Sequence, residues 1–370
     1  MNLSFPSRRG LLLSAAAGAL SACSPGPSGS SRPVRSPGTG SPSASGPPRP
    51  RETQRSPFPI SAVGLTWTGP GEGLQIRFLG TSVPPTPWMR VKPGCPCGRD
   101  ERRPVRRRAV SRALVRAPGA EAYQLAYPES IDLLSGVIVD TVHGSTPTPG
   151  ASPTPTASPT PLPSTPEKVP DLADLPVVRR SQWGAVPSLT TASRAFAPVQ
   201  AVTVHHTVTA DDDPDPAGTV RAIFQLHAVH NGWGDIGYHF LVDAAGRVYE
   251  GRDSGDPGTI AHNASGDCVT AFHTADFNTG NIGIALLGDM TVREPTAAAR
   301  RSVTTLVASL SRMHGLDPRA PLSYRNPLTG RTLRLGSPVN AHGAWTPTEC
   351  PGTLTPVEDV RAAAAKALRA

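Results

Sequence analysis

Residues 199–207 read VQAVTVHHT. Valines and an alanine, with β-branched Thr203 among them, make an apolar run of strand length, and it ends on paired histidines, His205 and His206. Working outward, Val220, Ile223, Phe224 and His227 recur at helical spacing, which predicts an amphipathic helix over 217–230. YHFLVDAAGRVYEG (238–251) reads as a hairpin turning near Ala245-Gly246. NIGIALLG (281–288) is too continuously apolar for an edge strand and is expected in the centre of a sheet. Val303, Leu306, Val307 and Leu310 mark a second helix, and Thr355-Pro356-Val357-Glu358 reads as a capping box opening a third. Strands interleaved with helices predict an α/β domain over 171–370, a mixed central sheet flanked by helices.

Three residues of that domain suit a metal. His205 ends the first strand, VNAH (339–342) puts His342 at the end of another, and Cys350 follows a Thr346-Pro347 turn. Two imidazoles and a thiolate leave the fourth position of a tetrahedral zinc for water, the arrangement of catalytic rather than structural sites. Such an ion lowers the pKa of water to about 7 and polarises a carbonyl, which amide hydrolysis requires. Singly, each residue has a plainer explanation, a structural strand-end histidine or a small buried thiol, and only the combination points to zinc.

The motifs RRSQWGA, VTVHHT, GWGDIGYHFLVDAAGRVYEGR, NTGNIGIALLGD and AHGAWTPTECPG resemble, in order and spacing, those of peptidoglycan recognition proteins and type 2 N-acetylmuramoyl-L-alanine amidases, from about Val177 to Arg369. The resemblance implies one zinc ion on His205, His342 and Cys350, and hydrolysis of the amide between N-acetylmuramic acid and L-alanine in peptidoglycan. It gives Tyr238 and Thr348 catalytic roles, as polar contacts to the water or the developing oxyanion. His206, Trp183, Arg252 and His262 fall in family motifs near the groove and are candidates for substrate contact, although packing or tautomer-fixing would explain each equally well. The alternative is a non-catalytic peptidoglycan-binding receptor, but such members commonly lose the cysteine that is Cys350 here. A structural wall-linked lipoprotein would not need the ordered ligand set. Two departures stand out: Ala285 and Thr348 occupy places that hold Glu and Lys in more distant amidases, and HNASGDCVTAFHTADFN (262–278) is longer than the usual turn.

Upstream, the 370-residue chain is organised around low-complexity segments, with 43 Pro and 36 Gly clustered rather than spread. Arg8-Arg9 precede an apolar run, Leu11–Leu20, too short to span a bilayer permanently. That run closes on Leu-Ser-Ala-Cys23, which resembles a lipobox, and Ser7-Arg8-Arg9 resembles a twin-arginine export signal. The expectation is a signal peptide over 1–22, lipidation of Cys23, and an exported protein held to the cell membrane by that anchor. Residues 23–56 then read as a tether, and 145–170, with its Thr-Pro and Ser-Pro repeats, as a semi-rigid polyproline spacer.

Between them, 57–144 carries short β-prone runs (VGLTWTG, GLQIRFLG, AYQLAY, SGVIVDTV), with Leu74, Ile76 and Phe78 alternating. This predicts a small β-rich module, read as a compact sandwich, in which Trp67 and Trp88 fit a core better than sugar-stacking positions. The Arg102–Arg112 run fits a solvated loop better than a grip on wall polymers. A net charge of +8 suits anionic surroundings, but it is not gathered on one element of the candidate catalytic half, so nucleic acid is not an expected partner. A monomer is expected. With Cys23 and Cys350 assigned, Cys95, Cys97 and Cys268 are left, an odd number for an oxidising compartment, and Cys95-Pro-Cys97 is too tight to make a metal site alone.

Overall fold

The computed structural model describes residues 48–69, 73–80, 84–95, 97–100, 110–141 and 169–369. The signal segment with Cys23, most of the tether, nearly all of the Pro/Thr-rich spacer and most of the Arg102–Arg112 run lie outside them. The described residues all fall within one compact unit, in which the β-rich module and the α/β domain are in contact.

The module is one antiparallel sheet, not two packed ones. Its four main strands are β1 (Gln54–Thr68), β2 (Gln75–Leu79), β3 (Ser111–Tyr127) and β4 (Asp132–Val139), in the order β2-β3-β1-β4. β1 and β3 are long enough to do the work of two strands each. Register shifts between Arg55, Ile60 and Ala62 bend the ribbon midway. β4 pairs only with the second half of β1, and β2 only with the second half of β3. Ile60, Val63, Leu65, Trp67, Leu74, Ile76 and Phe78 fill the concavity. A sandwich-like core thus forms within a single bent sheet. Trp67 is fully buried there, whereas Trp88 is half-buried, with the Arg77 guanidinium 4.7 Å above its ring.

The α/β domain has strands β5 (Ala201–His206), β6 (Phe240–Val242), β7 (Val248–Glu250), β8 (Asn281–Leu286) and β9 (Val339–Ala341). They order as β9-β5-β8-β6-β7, and Val177–Val178 adds to the β7 edge. All neighbours are parallel except the β6–β7 hairpin. β8 lies between β5 and β6 and is buried along its length, as its unbroken apolar run requires. Helices α2 (Ala297–His314) and α3 (Val357–Ala367) cover one face with Val303, Leu306, Val307, Leu310 and Val360. Helix α1 (Pro216–Gln225) covers the other with Val220, Ile223 and Phe224, and runs into a π-helical turn, Leu226–His230. Burying each such side chain contributes about 1.5–3 kcal/mol.

The expected capping box does not form. The Thr355 hydroxyl donates to Pro351 O (2.7 Å) instead, bracing the turn after Cys350, and α3 begins at Val357 with no side-chain cap. Glu358 and Asp359 in its first turn complement the helix dipole in its place.

The module's other sheet face is made of small residues where it meets α1. Ala62 and Val139 pack on Ala222, and a β-carbon at Gly64 would stand 2.6 Å from Leu226 Cδ1. Gln225 Nε2 donates to Asp140 O (2.8 Å) at the same seam. This close approach brings the segment between β2 and β3 over the carboxyl ends of β5 and β9.

Candidate metal centre

β5 and β9 are parallel, and their last paired residues are Val204 and Ala341. One residue further along each strand stand His205 and His342, side by side at the carboxyl ends of the sheet, with ring centroids 4.6 Å apart. The turn after His342 returns Cys350, whose Sγ lies 3.5 Å from His205 Nδ1. Gly343 N–H donates to Cys350 O (2.9 Å) and Cys350 N–H to the Thr348 hydroxyl (3.2 Å), which hold the thiol in place. All three residues read from the sequence as ligands are therefore together.

The centre has a fourth donor. Cys95 Sγ, from the β-rich module, lies 2.7 Å from His342 Nδ1, 3.3 Å from His205 Nδ1 and 3.1 Å from Cys350 Sγ. The four donor atoms lie within 4.8 Å of one another. Zinc bonds of about 2.0–2.3 Å set donor separations of roughly 3.3–3.8 Å in a tetrahedron. Four of the donor pairs stand at 2.7–3.5 Å, somewhat tighter, and two sulfurs with two nitrogens make a donor set for one small, sulfur-accepting cation. The sequence left the fourth position open for water; in the fold, a thiol stands at it.

The chain also sets the tautomers. Asn281 O can only accept, so His273 Nε2 at 2.9 Å donates to it. Burial holds the His273 pKa down at about 4, so the ring is neutral and its Nδ1 accepts. His205 Nε2 (3.0 Å) and the Thr274 hydroxyl (2.8 Å) both face that Nδ1; with His205 Nε2 as a donor, His205 Nδ1 keeps a lone pair facing both thiols. Burial pushes the His205 pKa well below the ordinary histidine value and holds His342 at about 3, each helped by neighbouring histidines. Both imidazoles are therefore neutral at pH 7, the form that binds metal. Gly283 of β8 is needed here because a β-carbon would stand 2.5 Å from the His273 ring.

Tyr238 stands against the centre, its ring 5.4 Å from that of His205 and its hydroxyl 3.5 Å from Cys97 Sγ. Burial, with the neighbouring thiols, pushes its pKa well above the ordinary tyrosine value, so the phenol stays protonated. Thr348 and His206 line, with Cys95 and Cys350, a cleft of about 550 Å³ between module and domain. His206 Nδ1 accepts from Met290 N–H (3.1 Å), and burial holds its pKa at about 4.

The other candidates stand elsewhere. Trp183 is interior, donating Nε1–H to Glu250 O (2.8 Å) and packing edge-on to Phe224. His262 is buried and bound to His314 of α2 (3.0 Å) rather than to the centre. Neither faces an open groove. Arg252 is 1% exposed, its guanidinium 4.5 Å over the Phe272 ring, and neither terminal nitrogen has a hydrogen-bond partner. Ala285, at the place of a distant relative's Glu, pairs in register with His205 and is fully buried. Cys268 is buried in a short strand pair with Phe196–Ala197, and no disulfide forms among the described residues. Sequence reasoning missed Cys95, Cys97 and His273. The only signals were the unplaced Cys-Pro-Cys and the unusual length of 262–278, where His273 lies.

Residues 195–353 match a family model described as N-acetylmuramoyl-L-alanine amidase. Human N-acetylmuramoyl-L-alanine amidase is 30% identical over 177 residues, 47% of this chain and 26% of its own. The pig protein of that name is 33% identical over 128 residues, 34% of this chain and 19% of its own. Mouse peptidoglycan recognition protein 1 is 34% identical over 134 residues, 35% of this chain and 66% of its own. The chain thus spans about a quarter of the human relative and a fifth of the pig one. Among solved structures, Drosophila PGRP-LB is similar at 25% identity with a TM-score of 0.35, over 48% of this chain and 87% of that one. The motif resemblance read from the sequence is borne out. The family match starts at residue 195, so the module carrying Cys95 lies outside it.

Proposed function

From the premise that residues 195–353 are a domain of the N-acetylmuramoyl-L-alanine amidase family, we propose that this chain hydrolyses the amide joining N-acetylmuramic acid to L-alanine in peptidoglycan. The observation that carries the reading is the convergence of His205, His342 and Cys350 at the carboxyl ends of β5 and β9, with Tyr238 and Thr348 beside them.

His205, His342 and Cys350 would hold one zinc ion, which supplies a Lewis acid for the amide carbonyl and makes water acidic near pH 7. The chain's own groups do the rest. His273 fixes the His205 tautomer, so that a lone pair and not a proton faces the centre. The protonated Tyr238 hydroxyl donates to charge developing on the substrate oxygen, in a buried site where such a bond is strong. Thr348 braces Cys350 and presents a second hydroxyl to the cleft. The sequence of residues 7–23 supports export and lipid anchoring at Cys23, which would place the enzyme at the envelope where its substrate lies.

The test is digestion of purified peptidoglycan by the zinc-loaded full-length chain and by its Cys95→Ala variant, with mass spectrometry of the soluble products. The expected products are stem peptides with a free N-terminal alanine and glycan strands with free lactyl groups. One observation favours a second reading, a receptor that binds peptidoglycan without cutting it: Cys95 completes a set of four protein donors, the closed pattern of structural zinc. Retention of the protein on peptidoglycan with no cleavage by either form would favour that second reading.

A further inference from the structure

The segment that delivers Cys95 covers more than the metal position. Cys97 is buried in the cluster that holds Tyr238, Trp183 and Phe224, and its Sγ faces the Tyr238 hydroxyl. The Arg99 guanidinium stacks 4.9 Å from the Phe272 ring, which Arg252 also faces, and donates to Gly232 O (2.7 Å). Asp100 then clamps the segment down. Its Oδ1 accepts from Asn278 N–H (3.0 Å) and Nδ2 (2.7 Å); its Oδ2 accepts from Thr279 N–H (3.1 Å), the Thr279 hydroxyl (2.8 Å) and Asn326 Nδ2 (2.6 Å). Gly98 O accepts from Asn278 Nδ2 as well (2.8 Å). Lys92, on the other side of Cys95, pairs with Asp289 at 2.6 Å.

This is a built contact. Five hydrogen bonds to one half-buried carboxylate, most from groups that are themselves buried, would leave several orphaned donors if the segment simply drifted away. They fix residues 97–100 against the domain, and the short tie from Cys97 N–H to Cys95 O (2.8 Å) carries that fixation to the thiol.

We propose that the β-rich module is an intramolecular inhibitor of the amidase domain, with Cys95 as the fourth protein ligand of the metal. A thiolate ligand there fills the one coordination position that catalysis needs for water, and the same segment covers the Tyr238 hydroxyl. The chain as folded is latent, and activity requires withdrawal of Cys95 and residues 97–100 from the domain. The ligand assignment stands on geometry alone, while the word inhibitor rests on the amidase reading, so the experiment separates the two.

Full-length protein and its Cys95→Ala variant are loaded with cobalt(II) in place of zinc. Thiolate-to-cobalt charge-transfer absorbance per metal should fall by about half in the variant, because one of two thiolates is lost while Cys350 remains. Acetohydroxamate, a small bidentate ligand that needs an open position, should shift the visible spectrum of the variant and leave the parent unchanged. With zinc restored, the variant should cut peptidoglycan roughly tenfold or more faster than the parent. Equal charge-transfer absorbance in the two proteins would overturn the ligand assignment, and acetohydroxamate binding to the parent would overturn the plug. A variant that binds acetohydroxamate yet cuts nothing would sink the amidase reading and leave the plug standing. Should Cys95→Ala fail to fold, Asp100→Ala keeps the thiol and removes the clamp. Acetohydroxamate must then bind Asp100→Ala more tightly than the parent, and equal binding would overturn the proposal.

Discussion

His205 and His273 meet ring to ring, Nε2 to Nδ1 at 3.0 Å, and the direction of that hydrogen bond is dictated by a third atom, the carbonyl oxygen of Asn281. The consequence is a histidine whose hydrogen bonding favours a bare lone pair on the metal-facing nitrogen, with the Thr274 hydroxyl (2.8 Å) sharing the same His273 acceptor.

Replacing His273 with Ala removes the acceptor and frees the His205 ring to take the wrong tautomer. Zinc affinity, measured by competition with a chelating dye, should fall by about 10–100-fold. His273→Gln, whose amide oxygen can still accept from Nε2, should recover most of it. Equal affinities in all three proteins would show that the pair has no part in metal binding.

Cys350→Ser exchanges a thiolate for a neutral hydroxyl, a far poorer zinc ligand. Zinc affinity should drop by about 100-fold or more, and the amide cleavage gained by Cys95→Ala should fall to background when Cys350→Ser is added. The central strands bury their apolar faces without help from the metal, so the circular dichroism spectrum should be unchanged and peptidoglycan should still be retained in a pull-down. Loss of the fold together with the metal would make the ion structural.

His227 provides a pH dependence away from the ligands. Burial, with Arg112 and Arg252 nearby, holds its pKa at about 3, and its Nδ1 accepts from Gly237 N–H (3.0 Å). The unfolded chain, with an ordinary value near 6.5, binds this proton more readily than the native one. Stability is therefore full above about pH 6.5 and falls as pH drops toward 3, by on the order of 5 kcal/mol at the limit. Urea midpoints measured between pH 7 and pH 4 should show the decline, and His227→Gln should make it shallower, leaving the part carried by His205, His206, His273 and His342.

Cys23→Ala should yield a chain that no longer carries acyl groups and no longer sediments with membranes after fractionation of the producing cells. Unchanged retention would remove the lipid anchor and leave the centre untouched, since every donor lies beyond residue 94.

Much of the α/β domain was legible because its signals are local. The unbroken apolar run of 281–288 marks a strand covered on both faces, and the 3.6-residue spacing of Val303 to Leu310 marks a helix lying on one. His205, His342 and Cys350 could be read because two end strands and the third sits in a turn of motif-like sequence. Cys95 could not. Nothing local distinguishes a thiol bound for a site 255 positions away, and its placement depends on how closely Ala62 and Gly64 let the module approach α1. The capping box failed for a related reason: Thr355 had a tertiary acceptor, Pro351 O, that no reading of its neighbours reveals.

The strand order β9-β5-β8 also governs how this centre comes into being. Both partners of β5 arrive later in the chain than β5 itself, one at 281–286 and the other at 339–341, and every contact between them is parallel and long-range. Such topologies collapse slowly, because the entropy of closing large loops opposes folding before any pairing compensates for it. During biosynthesis His205 therefore sits at the end of an unpaired apolar strand until β8 emerges about 75 residues later, and more than a hundred residues separate it from His342, so Cys95 has no complete set of metal partners to meet. No half-built centre exists to capture an ion early: metal uptake has to follow closure of the sheet, which makes the rate of folding the clock for loading.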